Sequence, residues 1–238
     1  MEPVERVLVV CAHPDDIDFG ASGSVAGWTD AGIEVTYCLV TDGDAGGFDR
    51  EVPREEIPRI RRAEQIAAAA VVGVTDVRFL GYPDGRLTPS LELRRDLSRV
   101  IRQVRPQRVV CQSPERNWAS VYASHPDHRA AGEATLDAVY PDARNPFAHP
   151  ELLQEEGLEP HIVHEVWVMG GPQPDHYVDV TDQFERKVAA LREHRSQLTD
   201  PTGEPPAVLR DLMRRNAEAG GLPEGRLAEA FKVVHIPA

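Results

Sequence analysis

Short apolar runs alternate with segments of helical periodicity through the first half of this chain. The runs at residues 4–11, 33–43, 77–80 and 108–111 predict buried strands, because each is dominated by large apolar residues. Between them, residues 21–32, 57–74 and 90–106 predict helices; in the last, Leu93, Leu97 and Val100 share one face. Strands that alternate with helices build βαβ units. The sequence therefore predicts an α/β fold, with a mostly parallel sheet covered by helices on both faces.

The second half of the chain has a weaker pattern. Residues 128–139 and 182–197 predict helices and residues 162–169 predict a strand, whereas residues 227–236 are ambiguous. Stretches rich in proline and glycine at 141–160 and 199–224 predict long irregular excursions, not linkers between domains. The length of 238 residues suits one α/β domain, so we expect a single domain over residues 1–238.

The charge and the cysteines limit the range of partners. A formal net charge of -13 argues against a polyanionic partner, because proteins that bind nucleic acids usually present a basic face. No apolar stretch reaches the roughly 18 residues of a membrane span, and the acidic start MEPVERVLVV is unlike a signal peptide, so we expect no membrane segment. The three cysteines are odd in number and end apolar runs, which favours reduced thiols in a cytoplasmic protein.

A histidine and three acidic residues follow the first predicted strand, in the sequence HPDDID at residues 13–18. Carboxylates this close repel one another unless a cation lies between them. In parallel sheets, ligands bind beyond the carboxyl ends of the strands, which is where this cluster lies. The simplest competing interpretation is that Asp15 or Asp16 caps the following helix, since aspartate is favoured at that position.

A second cluster, HPDH at residues 125–128, precedes another helix rich in small residues. Catalytic zinc sites usually have three protein ligands and one open position for water, and His13, Asp16 and His128 would supply such a set. A divalent cation there would also relieve the repulsion between the carboxylates. Cys11 and Cys111 are weaker candidates, because cysteines inside a strand usually pack as small apolar side chains.

The motifs AHPDDIDFGASGSVA (12–26) and HPDHRAAGEA (125–134), in this order, resemble those of the PIG-L/LmbE-like superfamily. Further similarity lies in TDGDAGG (41–47), RRAEQIAAAAVVGV (61–74), FLGYPDGRL (79–87) and ALREHRSQ (190–197). Members of the superfamily are zinc-dependent de-N-acetylases, among them N-acetylglucosaminyl-phosphatidylinositol deacetylase and deacetylases of the mycothiol pathway. The resemblance implies hydrolysis of an N-acetyl or related N-acyl group on an amino sugar or a small natural-product conjugate.

Together with the strand pattern, the resemblance implies a Rossmann-like three-layer fold with its active site at the carboxyl ends of the strands. It implies Zn²⁺ as the cofactor, with other divalent metals such as Fe²⁺ as alternatives. It implies metal ligands at His13, Asp16 and His128.

The remaining residues of the two motifs take catalytic roles by the same resemblance. Asp15 resembles the general base that deprotonates the attacking water, and His125 resembles the group that stabilises the oxyanion or protonates the leaving amine. Asp127 would contribute to catalysis through a hydrogen bond to a histidine of the site. The sequence departs from the commonest family form at Ile17, where many members have glutamate, and the acid comes one residue later, at Asp18.

Candidate substrate-binding residues are Arg61, Asp84 and Asp44. Arg61 matches an arginine that contacts substrate in the family, although the adjacent Arg62 or a helical surface ion pair is an alternative interpretation. Asp84 and Asp44 would accept hydrogen bonds from sugar hydroxyls, or serve only the turns in which they lie. His194 in HRSQ either faces the pocket or has a structural role.

Two other function classes stay open on the sequence alone. A metal-dependent phosphoesterase would usually need two metal ions or a clamp of basic residues, whereas the clusters offer three good ligands. A non-catalytic metal- or carbohydrate-binding protein would not need Asp15 and His125 beside its ligands. A dinucleotide-binding enzyme is disfavoured, because no Gly-X-Gly-X-X-Gly follows the first strand.

The expected partner is therefore a small N-acylated molecule, with no nucleic-acid or membrane partner. Self-association into a homo-oligomer is left open. A composition biased towards alanine, arginine, proline and glutamate favours a bacterial source, in which mycothiol-type chemistry or natural-product biosynthesis would fit.

Overall fold

A computed structural model of the chain describes residues 3–198 and 208–237. Within these residues seven strands form one sheet, in the spatial order β3-β2-β1-β4-β5-β7-β6. The strands are β1 Arg6–Cys11, β2 Glu34–Thr41, β3 Asp76–Tyr82, β4 Arg108–Gln112, β5 Glu165–Met169, β6 His176–Asp179 and β7 Ala228–His235.

Neighbouring strands from β3 to β5 pair in parallel, whereas β7 is antiparallel to both β5 and β6. Val9 of β1 lies in register between Tyr37 of β2 and Val110 of β4. Every residue of β1 after Arg6 is buried, which explains why this strand is a continuous apolar run. The predicted mostly parallel sheet is confirmed.

Helices surround the sheet. The described residues include the α-helices α1 Asp16–Gly20, α2 Ser22–Asp30, α3 Ile57–Val71, α4 Leu91–Val104, α5 Pro126–Asp137, α6 Pro150–Gln154, α7 Phe184–Glu193 and α8 Val208–Ala219. None of the helices in this part of the chain is both long and apolar enough to cross a bilayer.

The two faces of the sheet carry different helices. On one face, Leu97 of α4 packs in a buried cluster with Leu8 of β1. On the other face, Ala68 of α3 belongs to a second buried cluster with Val9 of β1. Leu8 and Val9 are adjacent in a strand, so their side chains point to opposite faces. The molecule therefore has three layers, as the strand and helix pattern predicted.

The order of the strands changes direction at β1. From β1 the chain proceeds to β2 and β3 on one side, then crosses to β4 and β5 on the other. The loops that follow β1 and β4 consequently leave the sheet in different directions and open a crevice between them. Ligands of doubly wound sheets bind in such a crevice.

The second half of the fold differs from the sequence prediction in several places. Helix α6 lies inside the stretch 141–160 that was predicted as irregular. The ambiguous tail is strand β7, and the short strand β6 beside it was not predicted. Helix α8 lies in the stretch 199–224 that was predicted as irregular, while residues 199–207 lie outside the described residues. Leu209, Met213 and Ala217 are buried at helical spacing on α8, but the prolines and glycines on either side obscured that short pattern.

Candidate active site

The loop after β1 folds back on itself at residues 13–16. The backbone N–H of His13 donates to Asp16 Oδ2 over 2.8 Å, and the same oxygen lies 3.2 Å from His13 Nδ1. Asp15, between them, has a φ of 92°, which is uncommon for a residue with a side chain. This tight turn brings the carboxylate of Asp16 against the imidazole that precedes it.

The second cluster lies at the beginning of α5, which follows β4. Pro126 occupies the first turn of α5, where its missing N–H costs no hydrogen bond. His125 caps the helix, since its Nδ1 accepts from the backbone N–H of Asp127 at 3.2 Å. His128 follows one turn into the helix and places Nε2 3.0 Å from Asp16 Oδ1.

The fold thus brings the two clusters together across the crevice between β1 and β4. The ring centroids of His13, His125 and His128 lie 5.0 to 5.3 Å apart, and one nitrogen of each lies within 4.8 Å of the others. Asp16 lies between two of these rings, with Oδ2 on His13 and Oδ1 on His128. The predicted ligand set therefore meets at one place.

Helix α5 approaches the end of β4 very closely. A Cβ on Gly132 would lie 2.2 Å from the carbonyl oxygen of Gln112, so only glycine allows this approach. The Gln112 side chain also accepts from the Ala12 backbone N–H at 2.9 Å, which ties the ends of β4 and β1 together. These contacts fix the distance between the elements that carry the two clusters.

Asp127 anchors His13 from the opposite side of its ring. Its Oδ2 lies 3.2 Å from His13 Nε2, and its two oxygens also accept from the backbone N–H groups of Gly85 at 2.6 Å and Leu87 at 3.2 Å. Burial disfavours the carboxylate, but the hydrogen bonds from His13 and Gly85 lower the pKa of Asp127. With Nε2 occupied by Asp127, His13 turns Nδ1 towards Asp16.

The local charge favours a cation at this place. Burial alone would lower the pKa of His13, but Asp16, Asp127 and Asp84 raise it to about 12. Burial likewise opposes the ionisation of Asp16, yet the two neighbouring histidines hold its pKa well below the usual value. Two imidazole nitrogens and one carboxylate, gathered in a buried anionic pocket, are a donor set that suits a divalent metal ion.

Asp15 is held beside this donor set by helix α3. Its Oδ2 accepts from Arg61 Nη2 at 3.2 Å, and its backbone N–H donates to Gln65 Oε1 at 2.9 Å. Burial and the charge of Asp16 raise the pKa of Asp15 to about 6, although Arg61 opposes the shift. Asp15 is therefore a partly buried carboxylate next to the metal donors but bonded to a different element.

Of the two adjacent arginines, Arg61 lies in the site and Arg62 lies outside it. Arg61 is 4% exposed and also donates to the carbonyl oxygens of Pro14 at 2.6 Å and Gly43 at 3.1 Å. Gly43 has a φ of 66°, and a Cβ there would lie 2.2 Å from Arg61 Nη1. The glycine loop after β2 thus closes around the guanidinium of Arg61.

The two aspartates predicted to contact substrate lie at the edge of the same pocket. Asp84 Oδ1 lies 3.0 Å from His13 Nε2, and Asp84 Oδ2 accepts from the backbone N–H of Ala45 at 3.2 Å. Asp44 accepts from the backbone N–H of Asp84 at 2.8 Å and from Arg54 at 2.9 Å. The side chain of Asp84 is 9% exposed and that of Asp44 is 26% exposed. Asp44 is therefore the more accessible of the two.

Sequence reasoning missed one residue of this region, Gln65. Its side-chain Nε2 donates to Asp18 Oδ2 at 2.9 Å, and His194 Nε2 lies 2.8 Å from the same oxygen. Gln65 comes four residues after Arg61 on α3, so the two side chains share one helix face, and that spacing was the available signal. Asp18 and His194 were noted separately, but nothing in the sequence pairs them.

A cavity of about 280 Å³ opens beside His125. Its walls are Arg116, Val121, Tyr122, Ser124, His125 and Pro126. Tyr122 is 95% exposed and the nearby Trp118 is 81% exposed in the same loop, which Asn117 fastens through its backbone N–H to Ser124 Oγ at 2.6 Å. Two uncovered aromatic side chains therefore lie in the loop that borders the candidate site.

The cysteines take no part in the site. Cys11, Cys38 and Cys111 are buried free thiols. Burial raises the pKa of all three thiols, and Cys11, Cys38 and Cys111 pack in the hydrophobic core as small apolar side chains.

Comparisons with known proteins show which family this chain resembles. The sequence profile of the PIG-L family, described as GlcNAc-PI de-N-acetylase, matches residues 8–139, a range that contains both clusters. Diacetylchitobiose deacetylase of Thermococcus kodakarensis is 35% identical over 201 residues, which cover 84% of this chain and 73% of that protein. The probable N-acetyl-alpha-D-glucosaminyl L-malate deacetylase 2 of Bacillus cereus is 33% identical over 199 residues, or 81% of this chain and 83% of that protein.

A solved structure supports the same relationship. N,N'-diacetylchitobiose deacetylase from Pyrococcus horikoshii, in complex with its inhibitor MPG, has a TM-score of 0.88 and 32% sequence identity to this chain. The similarity covers 98% of this chain and 84% of the solved chain.

Proposed function

The chain belongs to the PIG-L family of de-N-acetylases, and from this premise we propose that it hydrolyses the acetamide of a small N-acetylglucosamine-containing molecule with the help of bound Zn²⁺. One observation carries the proposal. Asp16 places one oxygen against Nδ1 of His13 and the other against Nε2 of His128, with Asp15 and His125 beside them.

The metal would be held by His13, Asp16 and His128. Two nitrogen donors and one oxygen donor match a catalytic zinc site, although Fe²⁺ would also suit these ligands. When bound, the ion would polarise the acetamide carbonyl and lower the pKa of a coordinated water towards about 7. Asp127 supports this set by fixing the ring of His13 through Nε2.

Asp15 is the proposed general base. Its carboxylate lies next to the metal donors and is held by Arg61, so it can accept a proton from the attacking water without itself binding the metal. The C–N bond of the acetamide breaks after water adds to the carbonyl carbon, and Asp15 returns the proton to the departing nitrogen. The products are acetate and a free amine.

His125 is the proposed partner of the oxyanion. Its Nδ1 accepts from the backbone N–H of Asp127, so the neutral ring carries its proton on Nε2. Burial and the charges of His13 and His128 lower the pKa of His125, which favours this neutral form. The Nε2–H group can therefore donate to the oxygen that becomes negative as water adds.

The substrate contacts predicted from the sequence remain proposals. Arg61 is buried against Asp15, so the geometry favours a role for Arg61 in holding the base over direct contact with substrate. Asp84 is largely enclosed by His13 and the loop after β2. Asp44, which is the most exposed of the three, is the best placed to accept from a sugar hydroxyl.

The cavity beside His125 supports a substrate with a second group attached to the amino sugar. Its exposed tyrosine offers a flat apolar face of the kind that packs against the C–H groups of a sugar ring, and Arg116 offers a positive charge. Two relatives are named for diacetylchitobiose and for an N-acetylglucosaminyl malate. Each of these compounds has a second group joined to the amino sugar, a sugar in the first and an acid in the second. We expect this cavity to receive that group.

The proposal also includes the domain organisation of the protein and its location in the cell. All seven described strands share one sheet, which supports a single domain over residues 1–238. The free, buried cysteines support a cytoplasmic location.

Measurement of acetate release from N,N'-diacetylchitobiose by the zinc-loaded protein tests the function. We expect turnover that is lost on chelation and restored by added zinc. A parallel assay with bis(p-nitrophenyl) phosphate separates the alternatives. Cleavage of the phosphodiester with no release of acetate would favour a phosphoesterase, and zinc binding with neither reaction would favour a non-catalytic binding protein.

A further inference from the structure

Asp15 has a backbone conformation that needs support. Its φ of 92° and ψ of -31° lie outside the regions that residues with a Cβ normally occupy. Such conformations persist where the surrounding structure holds them, and they cluster at functional sites. The proposed general base therefore depends on whatever fixes its backbone.

Gln65 supplies that contact from helix α3. Its buried Oε1 accepts from the Asp15 backbone N–H at 2.9 Å. The same amide uses its Nε2 to donate to Asp18 Oδ2 at 2.9 Å, so its orientation is set at both ends. A glutamine with only one of these partners would be able to rotate and leave the Asp15 N–H without an acceptor.

His194 completes the arrangement from the segment that follows α7. Its Nε2 lies 2.8 Å from Asp18 Oδ2, and both side chains are buried. The next residues of the segment are also fastened to α3, because Ser196 donates to Glu64 through its backbone N–H at 2.8 Å and its hydroxyl at 2.7 Å. The HRSQ and RRAEQ motifs thus meet directly behind Asp15.

We propose that Gln65, Asp18 and His194 form a positioning layer that holds the Asp15 backbone in its unusual conformation and so aims the Asp15 carboxylate. The side chains of the layer make no hydrogen bond to His13, Asp16 or His128 and do not line the cavity. Gln65 bonds to the main-chain N–H of Asp15, and the main-chain N–H of Asp18 donates to the Asp15 carbonyl oxygen at 2.9 Å. Gln65, Asp18 and His194 are positioning residues, and they act through Asp15. This inference rests on the proposed function, because Asp15 is a general base only in a hydrolase.

An alternative is that the three residues serve stability alone, as buried polar networks often do. The two interpretations differ in what they predict for turnover. If the network only stabilises the fold, its disruption would lower the free energy of unfolding and leave the kcat of the folded enzyme unchanged. If it positions Asp15, its disruption would lower kcat in the folded enzyme while KM and zinc content stay the same, because displacement of a catalytic group by about 1 Å can cost 100-fold in rate.

The test compares Gln65→Leu with Gln107→Leu in the zinc-loaded protein. Gln107 is a matched control, because its Oε1 also accepts from a backbone N–H, that of Arg6 at 2.8 Å, but Arg6 begins β1 and lies at the end of the strand away from the site. We expect Gln65→Leu to lower kcat for N,N'-diacetylchitobiose about 10- to 100-fold with KM changed less than about 2-fold and zinc retained. Gln107→Leu should keep kcat within about 2-fold. An unchanged kcat for Gln65→Leu, or a loss of zinc in step with activity, overturns the proposal.

His194 provides a rescue within the same experiment. In His194→Gln the side-chain Nε2 can still donate to Asp18, whereas His194→Ala removes the donor. We expect His194→Ala to lower kcat about 10-fold or more and His194→Gln to restore most of it. Equal kcat values in the two variants overturn the proposal.

Amide hydrogen exchange at Asp15 supplies a readout that needs no catalysis. Loss of the Gln65 acceptor should speed exchange of the Asp15 N–H about 10-fold or more, while the sheet amides of β1 stay protected. If the wild type releases no acetate, the proposed function fails and exchange alone decides whether the layer holds Asp15. Unchanged exchange at Asp15 in Gln65→Leu overturns the layer in either case.

Discussion

Asp16 connects the two clusters of the site, because its two oxygens contact histidines from opposite sides of the crevice. The sequence places His13 and Asp16 within one turn, so their proximity was predictable. The approach of His128 was predicted from two polar clusters that follow parallel strands. Gln65 was not predicted, because it bonds to a main-chain N–H and because only the folded structure brings it to its second partner, Asp18.

Replacement of Asp15 by asparagine tests its role at the scale of a single side chain. We expect Asp15→Asn to keep zinc and to lower kcat by a factor of about 10² to 10⁴, because the amide cannot take a proton from water. Asp30→Asn is the control, since Asp30 is an exposed partner of Arg186 far from the metal donors. Acetate release and zinc content are the measurements, and loss of zinc from Asp15→Asn would make Asp15 a ligand instead of a base.

Truncation of Tyr122 tests the cavity beside His125. Aromatic contacts are each worth about 0.5–1.5 kcal/mol, so Tyr122→Ala should raise KM for N,N'-diacetylchitobiose about 2- to 10-fold. The KM for N-acetylglucosamine itself should change little, since that substrate lacks the second group. Phe147→Ala is the control, because Phe147 is equally uncovered but does not line the cavity. Equal effects on both substrates would contradict the assignment of the cavity.

At the scale of elements, the first five strands and the long helices were predictable because their periodicity is strong. Strand β1 is buried on both faces, and α4 carries its apolar residues on one side. The short strand β6 was not predictable, because its four residues are exposed or half-buried and form no apolar run. Its position at the sheet edge is decided by its pairing with β7, which no local signal reveals.

The contact between α5 and β4 makes a prediction about packing. Gly132→Ala would place a Cβ 2.2 Å from the Gln112 carbonyl oxygen and push α5 away from the sheet. We expect it to lower the free energy of unfolding by about 1–3 kcal/mol, as overpacking typically does, and to reduce zinc affinity by moving His128. Gly27→Ala on α2 is the control, because no atom lies within 4 Å of its added Cβ. Urea denaturation measures the free energy of unfolding of both variants. Equal values would contradict the argument that α5 lies too close to β4 for a Cβ at position 132.

The contact between His194, which follows α7, and Asp18 of α1 leads to a prediction about how stability depends on pH. Burial disfavours a charge on His194, but the hydrogen bond to Asp18 and the charges of Asp15 and Glu64 raise the pKa of His194 above its ordinary value of 6.5. A raised folded-state pKa means that protonated His194 stabilises the fold fully below about pH 6.5 and that this stabilisation is lost as the pH rises through the folded pKa.

His194→Gln should therefore lose less stability than the wild type as the pH rises above about 6.5. Urea midpoints measured over this range for both proteins give the comparison. The other titrating groups are common to the two proteins, so the difference isolates His194. Parallel pH profiles would contradict the raised pKa, because they would mean that His194 has the same pKa in the folded and unfolded states.

At the scale of the whole molecule, the site exists because the strand order reverses at β1. The mostly parallel sheet was predictable from the alternation of strands and helices. The strand at which the order reverses was not predictable, and the sequence indicated only that ligands bind beyond the carboxyl ends of the strands. Which loops would meet there depends on the pairing of β1 with β4, a contact between distant parts of the sequence. The composition of the loops could not settle the identity of the substrate.

Zinc should stabilise the entire fold, because its proposed ligands follow two different strands, His13 and Asp16 after β1 and His128 after β4. With free zinc at about 100 times its Kd, binding to the folded state adds about 2.7 kcal/mol, which corresponds to a rise in Tm of about 5–10 °C. His128→Ala should abolish the rise, whereas His149→Ala should keep it, since His149 pairs with Asp142 outside the site. Thermal scans with and without zinc test this, and an unchanged rise in His128→Ala would exclude His128 as a ligand.

The reversal of strand order at β1 also bears on when the proposed metal site can form during synthesis of the chain. A nascent chain that has emerged only through β4 already contains His13 and Asp16 but still lacks the imidazole of α5. Such an intermediate lacks one of the three proposed ligands, so we expect firm binding of the metal only after α5 has formed and packed against the end of β4.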